Sequence, residues 1–136
     1  MGILQLLIGK EKKVKINPYV IPVKNAVQES IEEISNLSTT SVAFFEDMEK
    51  SLKGLLNYLR NYKMNHVTNL GQVNQSIVVR KINYWLKNNR IVFDLLEEYR
   101  NHPPQQKKIS KLKKNVLSDL RSFVSDLNSS YHQQDD

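Results

Sequence analysis

The stretch 45–62, FEDMEKSLKGLLNYLRNY, decides how this chain folds. Phe45, Met48, Leu52, Leu55, Leu59 and Tyr62 recur at intervals of 3, 4, 3, 4 and 3 residues. At 3.6 residues per turn they fall on one stripe, the seam of helices packed near-antiparallel. Gly54 beside that seam costs about 1 kcal/mol of helix propensity. With Ser51 one turn earlier, it predicts a close approach by a second helix.

Upstream, Ser38-Thr39-Thr40-Ser41 is a cluster of cap and turn formers that predicts a break. Before it, Val23, Val27, Ile31 and Ile34 form a stripe ending near Leu37, with Pro22 suited to the first helical position. Pro18 and Pro22 predict an extended Asn17–Ile21. Residues 1–20 read as an arm: Ile3 to Ile8 are apolar except Gln5, and Lys10, Lys12, Lys13 and Lys15 follow Gly9. A hairpin turning near Gly9 and a short amphipathic helix with an extended continuation both fit that pattern.

Downstream, His66–Gly71 reads as a loop whose Asn69 caps a third helix, with Gln72 bonding back. That helix is predicted to run unbroken to about Tyr99 along Val78, Ile82, Trp85, Asn89, Val92, Leu96 and Tyr99. Asn89 is the polar member: it either fixes register at the seam or lies at the rim where the stripe drifts. Asn101-His102-Pro103-Pro104 ends the helix. A fourth carries Ile109, Leu112, Val116, Leu120, Phe123 and Leu127 on one face, and Ser129–Asp136 reads as a fraying tail. The fold expected is all-α: a four-helix bundle over residues 21–128, most simply up-down-up-down, with an arm at 1–20 and a tail at 129–136.

Composition narrows function. The chain has 136 residues, 40% hydrophobic and 25% charged, which is ordinary globular composition. With no cysteine there is no disulfide scaffold, thiolate nucleophile or Cys-ligated metal. The longest apolar run is far short of the ~20 residues that span a bilayer. No secretory signal precedes it and Leu6 stands where myristoylation wants Ser or Thr, so the expected location is cytoplasmic.

Charge is segregated. Between Ala26 and Glu49 stand six acids (Glu29, Glu32, Glu33, Glu46, Asp47, Glu49) and no base. Between Lys50 and Phe93 stand eight bases and no acid, and Lys107, Lys108, Lys111, Lys113 and Lys114 form a later cluster. The net charge is +6, so these blocks either neutralise one another across helix edges or leave a basic face for a partner. Lys53, Arg60 and Lys63 lie along one edge of the second helix. Arg80, Tyr84 and Lys87 make a similar edge on the third, with an aromatic between two cations, although Tyr84 beside Trp85 could equally widen the buried stripe. The Lys107–Lys114 cluster occupies first turns, where the helix dipole disfavours cations by about 0.3–1 kcal/mol each. Either that helix starts later or the cluster serves an external anion.

Catalytic patterns are sparse. Gly2, Gly9, Gly54 and Gly71 are scattered singly, so no phosphate loop forms. His66, His102 and His132 lack partners at metal-ligand spacing, and no serine stands in a nucleophile elbow. No metal and no cofactor are expected. One short motif, Arg60-Asn61-Tyr62-Lys63-Met64-Asn65-His66, resembles the Arg-polar-x(3–5)-His signature of the HEPN family of small helical ribonucleases and toxins. The resemblance would imply a dimerising helical bundle in which Arg60 stabilises phosphate charge and His66 moves a proton.

The function expected from the sequence is a non-enzymatic interaction or assembly module. It would dock through a charged face and the arm residues Leu4, Leu6, Leu7 and Ile8 onto a protein partner or another copy of itself. No small-molecule substrate is expected. The alternative is an RNA- or DNA-binding bundle using Lys53, Arg60, Lys63, Arg80, Tyr84, Lys87, Lys107, Lys108, Lys111 and Lys114. The third is a metal-independent ribonuclease of the HEPN type. The arm's leucines ahead of its lysines also suit contact with an anionic membrane surface.

Overall fold

A computed structural model describes residues 17–66 and 73–129. Its helices are α1 (Val20–Ser35), α2 (Phe44–His66), α3 (Val73–Asn88), α4 (Arg90–Asn101) and α5 (Gln106–Asn128). No strand occurs among the described residues. The expected arm over 1–16, the Asn69 cap and the tail beyond Ser129 lie outside the described residues.

The α5 stripe is as read: Ile109, Leu112, Val116, Leu120, Phe123 and Leu127 are all buried, with Leu117 beside them. α5 packs on α1 and α3, and α2 packs on α1, α3 and α4. Side-chain contacts give directions. Tyr19, at the start of α1, meets Tyr62 near the end of α2, and Glu33 near the end of α1 meets Ser51 in the first half of α2. Lys113, early in α5, reaches the end of α1 at Ser35. Both pairs therefore run antiparallel. A four-helix arrangement fits, with α3 and α4 as successive halves of one leg.

That division corrects the unbroken third helix. The helix breaks at Asn89, whose backbone leaves the α region at φ −109°, ψ 10°. Asn89 Nδ2 donates to Trp85 O at 2.9 Å, and Asn88 Nδ2 donates to Tyr84 O at 3.0 Å. Asparagine side chains that bond back to the preceding turn compete with the helical ladder, and two in succession end it here. Asn89 is buried, so it is not a rim residue. The apolar stripe simply continues past the break through Leu96.

Four smaller corrections concern the first two helices. Asn17–Ile21 is not extended: Val20 N donates to Asn17 O at 2.9 Å and Tyr19 N to Asn17 Oδ1 at 3.0 Å. This turn starts α1 at Val20 and puts Pro22 third, still within the turn whose N–H groups need no helical acceptor. Ser30, not Ile31, takes the buried place between Val27 and Ile34. Phe44 rather than Phe45 is the buried phenylalanine of α2; Phe45 is half-buried and meets Tyr99, itself only half-buried, at 5.8 Å. α2 also runs through His66, where a loop was expected to begin.

On the far side the core is closed by an aromatic pair. Trp85 and Phe123 stack at 5.2 Å with planes 9° apart, and Trp85 Nε1 donates to Asp119 Oδ2 at 3.0 Å. The indole N–H is thereby satisfied as it enters the core. Beside it the cavity holds only about 10 Å³, room for one water at most.

Candidate functional site

Two surfaces stand apart from the rest. The first is the outer edge of α3. Arg80 and Lys87 are exposed, and Tyr84 between them is 66% exposed, so Tyr84 does not widen the buried stripe. Exposed Arg90 and Ile91 continue the surface into α4. Ile91, seven residues after Tyr84, falls on the same outward face and is exposed, while Leu96 stays buried.

The charge blocks do not neutralise one another broadly. Among the described residues the ion pairs are Glu49 with Lys53 at 3.7 Å and Glu49 with Arg100 at 2.6 Å, both on one carboxylate. Lys53 is therefore engaged locally, one turn from Glu49. Arg60 is exposed and Lys63 half-buried on α2, separate from the Arg80–Lys87 edge in sequence and in helix. Lys107, Lys108, Lys111 and Lys114 are exposed on α5. α5 begins at Gln106, so the helix does not start later; the lysines do sit in its first turns. Lys113 has a structural partner of its own. Its Nζ donates to Ser35 O at 3.0 Å and Leu37 O at 2.7 Å, placing a cation on the carbonyls that end α1.

The second surface is a groove of about 510 Å³ along the α1–α2 seam. Ala26, Ser30, Ser51 and Gly54 line it, and Glu29, Glu33 and Asp47 stand around it. This overturns the expected close approach at Gly54. A Cβ built there meets no heavy atom within 4 Å, so the small residues leave a gap instead of an intimate contact. Ser51 Oγ bridges the gap to Glu33 Oε1 at 2.6 Å.

At one end of the seam lies a tyrosine cluster. Tyr62 Oη donates to Tyr19 O at 2.8 Å, and the rings of Tyr58 and Tyr62 are 6.5 Å apart. Burial, then the neighbouring phenols Tyr58 and Tyr19, push the Tyr62 hydroxyl up to about 12. Burial also raises Tyr58. Neither shift makes a base near neutral pH; both keep the phenols protonated, and Tyr62 as the donor to Tyr19 O.

Of the HEPN-like pair, Arg60 projects from the surface of α2 and His66 is the last residue of that helix. Among the described residues no group of three or more His, Asp or Glu could hold a metal ion. No described helix is long and apolar enough to cross a membrane. Compared with known proteins, the chain matches no family model, no curated protein and no solved structure.

The sequence reading missed Asn17, Asp119 and the groove. Asn17 and Asp119 are single polar residues whose roles depend on partners two and 34 positions away. The groove depends on the spacing between two helices, which no single-helix pattern encodes.

Proposed function

We propose that this chain is a non-enzymatic interaction module, a four-helix bundle of up-down-up-down order that docks through the α3 edge. Arg80, Tyr84 and Lys87 are its contact residues, extended by Arg90 and Ile91, and its partner is an acidic protein surface or another copy of this chain. The observation that carries the reading is the 66% exposure of Tyr84 between two cations that have no ion pair among the described residues. Tyrosine and arginine are the residues from which interface hot spots are built, because both combine apolar contact area with hydrogen bonding. Segregated charge would give the encounter its direction and speed more than its strength.

The same edge supports a second reading, binding of RNA or DNA. An exposed aromatic flanked by cations can stack a base while its neighbours contact phosphates. Counterion release separates the two, since contacts to several phosphates lose affinity steeply as salt rises. The test is the light-scattering mass of the purified protein at low and high salt, with absorbance at 260 nm recorded alongside. The interaction module predicts a clean protein whose oligomer, or complex with a partner, persists in salt and weakens on Arg80→Ala/Lys87→Ala. Co-purifying nucleic acid that high salt strips off would replace it with the second reading.

A further inference from the structure

The α1–α2 groove is unusual in being both open and chemically unfinished. Ser30 lines it and is only 4% exposed, yet its hydroxyl makes no hydrogen bond among the described residues. A buried hydroxyl left without a partner forfeits the hydrogen bonds it would make to water, so an occupant offering a donor or acceptor there is favoured. Three carboxylates, Glu29, Glu33 and Asp47, face one ammonium, Lys50, around the opening. The floor at Gly54 is bare. The matching ligand is a basic segment with free backbone polar groups.

The chain itself carries such a segment, tethered beside the groove. Residues 3–15 combine Leu4, Leu6, Leu7 and Ile8 with Lys10, Lys12, Lys13 and Lys15. They join the described structure at Asn17, which is fully buried, in a hydrogen-bonded turn. Tyr19 O accepts from Tyr62 Oη, so the chain enters α1 over α2, the helix that forms the groove's other wall. The lengths agree. Along α1, Glu29 and Glu33 lie about 14 and 20 Å from Val20 at 1.5 Å per residue. Running back from Asn17 at about 3.3 Å per residue, Lys13 and Lys10 lie about 13 and 23 Å away. Tethering also presents the segment at roughly millimolar effective concentration, which a free peptide would not reach.

We propose that the arm runs along the α1–α2 groove of its own chain, residues 10–15 seated in it with Lys10–Lys13 against Glu29 and Glu33, and the apolar residues 3–8 carrying on beyond Leu37, which lies about 26 Å from Val20 at 1.5 Å per residue. This goes beyond the α3-edge reading and holds whether or not that edge binds a partner. The test uses the full chain. A zero-length carbodiimide cross-linker followed by mass spectrometry should join Lys10, Lys12 or Lys13 to Glu29, Glu33 or Asp47 within single chains. Trypsin should cut after Lys10–Lys15 slowly in the unaltered protein. Cutting should be roughly tenfold faster in Gly54→Leu, which fills the groove, because such cleavage follows the population of the open form. Glu29→Lys/Glu33→Lys, both exposed positions, should accelerate it similarly without touching the core. Equal cleavage rates in all three proteins, or cross-links found only between chains, would overturn the proposal. Arg80→Ala/Lys87→Ala should leave both readouts unchanged, so failure of the α3-edge reading is told apart from failure of this one.

Discussion

The α5 face and the α1–α2 seam are built on the same helical period and end in opposite states. On α5 every third or fourth residue is large and apolar, and all of them are buried. On the seam the corresponding edge carries Ala26, Ser30, Ser51 and Gly54, and a groove remains. Large side chains state where a neighbour must be, because only a neighbour can take their surface from water. Small ones state only that nothing is in the way. They permit close approach and empty space alike, and here the bulk of Leu55 and Tyr58 alongside them, together with the Ser51–Glu33 bridge, is compatible with the second.

That contrast can be broken most severely on the closed side. Phe123→Ala removes the ring stacked on Trp85, and should cost about 3–5 kcal/mol in urea denaturation, since the site cannot collapse around a missing aromatic. A loss near 1 kcal/mol would mean that the far side is as loose as the seam. A smaller effect is expected at the tyrosine cluster. Tyr62→Phe deletes the bond to Tyr19 O and should cost about 1 kcal/mol at neutral pH. The pH dependence has a definite sign. The folded protein holds the Tyr62 proton up to about 12, against 10.0 in an unfolded chain. Its contribution is therefore fully present below pH 10 and is lost as pH climbs from 10 toward 12. Tyr62→Phe should flatten stability over that window; an unchanged pH profile would assign the loss to other groups. The smallest effect sharpens the seam itself. Gly54→Ala should stabilise by about 0.5–1 kcal/mol, because helix propensity improves and the new methyl meets nothing. Destabilisation would restore the close approach that the spacing suggests.

Much of the fold was legible because the chain repeats large apolar residues at 3 and 4. The stripe from Met48 to Tyr62 and all of α5 read correctly for that reason. Phe44 and Phe45 could not be ranked, since they lie four and three residues before Met48 and either spacing continues the stripe. The break at Asn89 was hidden by the stripe running through it; only the pair Asn88-Asn89 hinted that side chains would compete for carbonyls. Of the site, the cationic edge at Arg80 and Lys87 was legible as charge, while the exposure of Tyr84 needed the packing of Trp85 beside it to be known. Lys113 looked like one more member of a solvated cluster because its acceptors lie 76 and 78 positions away.

That lysine also fixes where the two ends of the described chain emerge. Ser35 lies 15 residues after the first residue of α1, and Lys113 lies 15 before the last of α5. At 1.5 Å per residue both spans are about 22 Å, and the helices run in opposite senses. Val20 and Asn128 are therefore level with one another at one end of the bundle. A short linker could join them and the chain be reopened between α1 and α2 at the exposed residues 40–42, giving a circular permutant with the same helix neighbours.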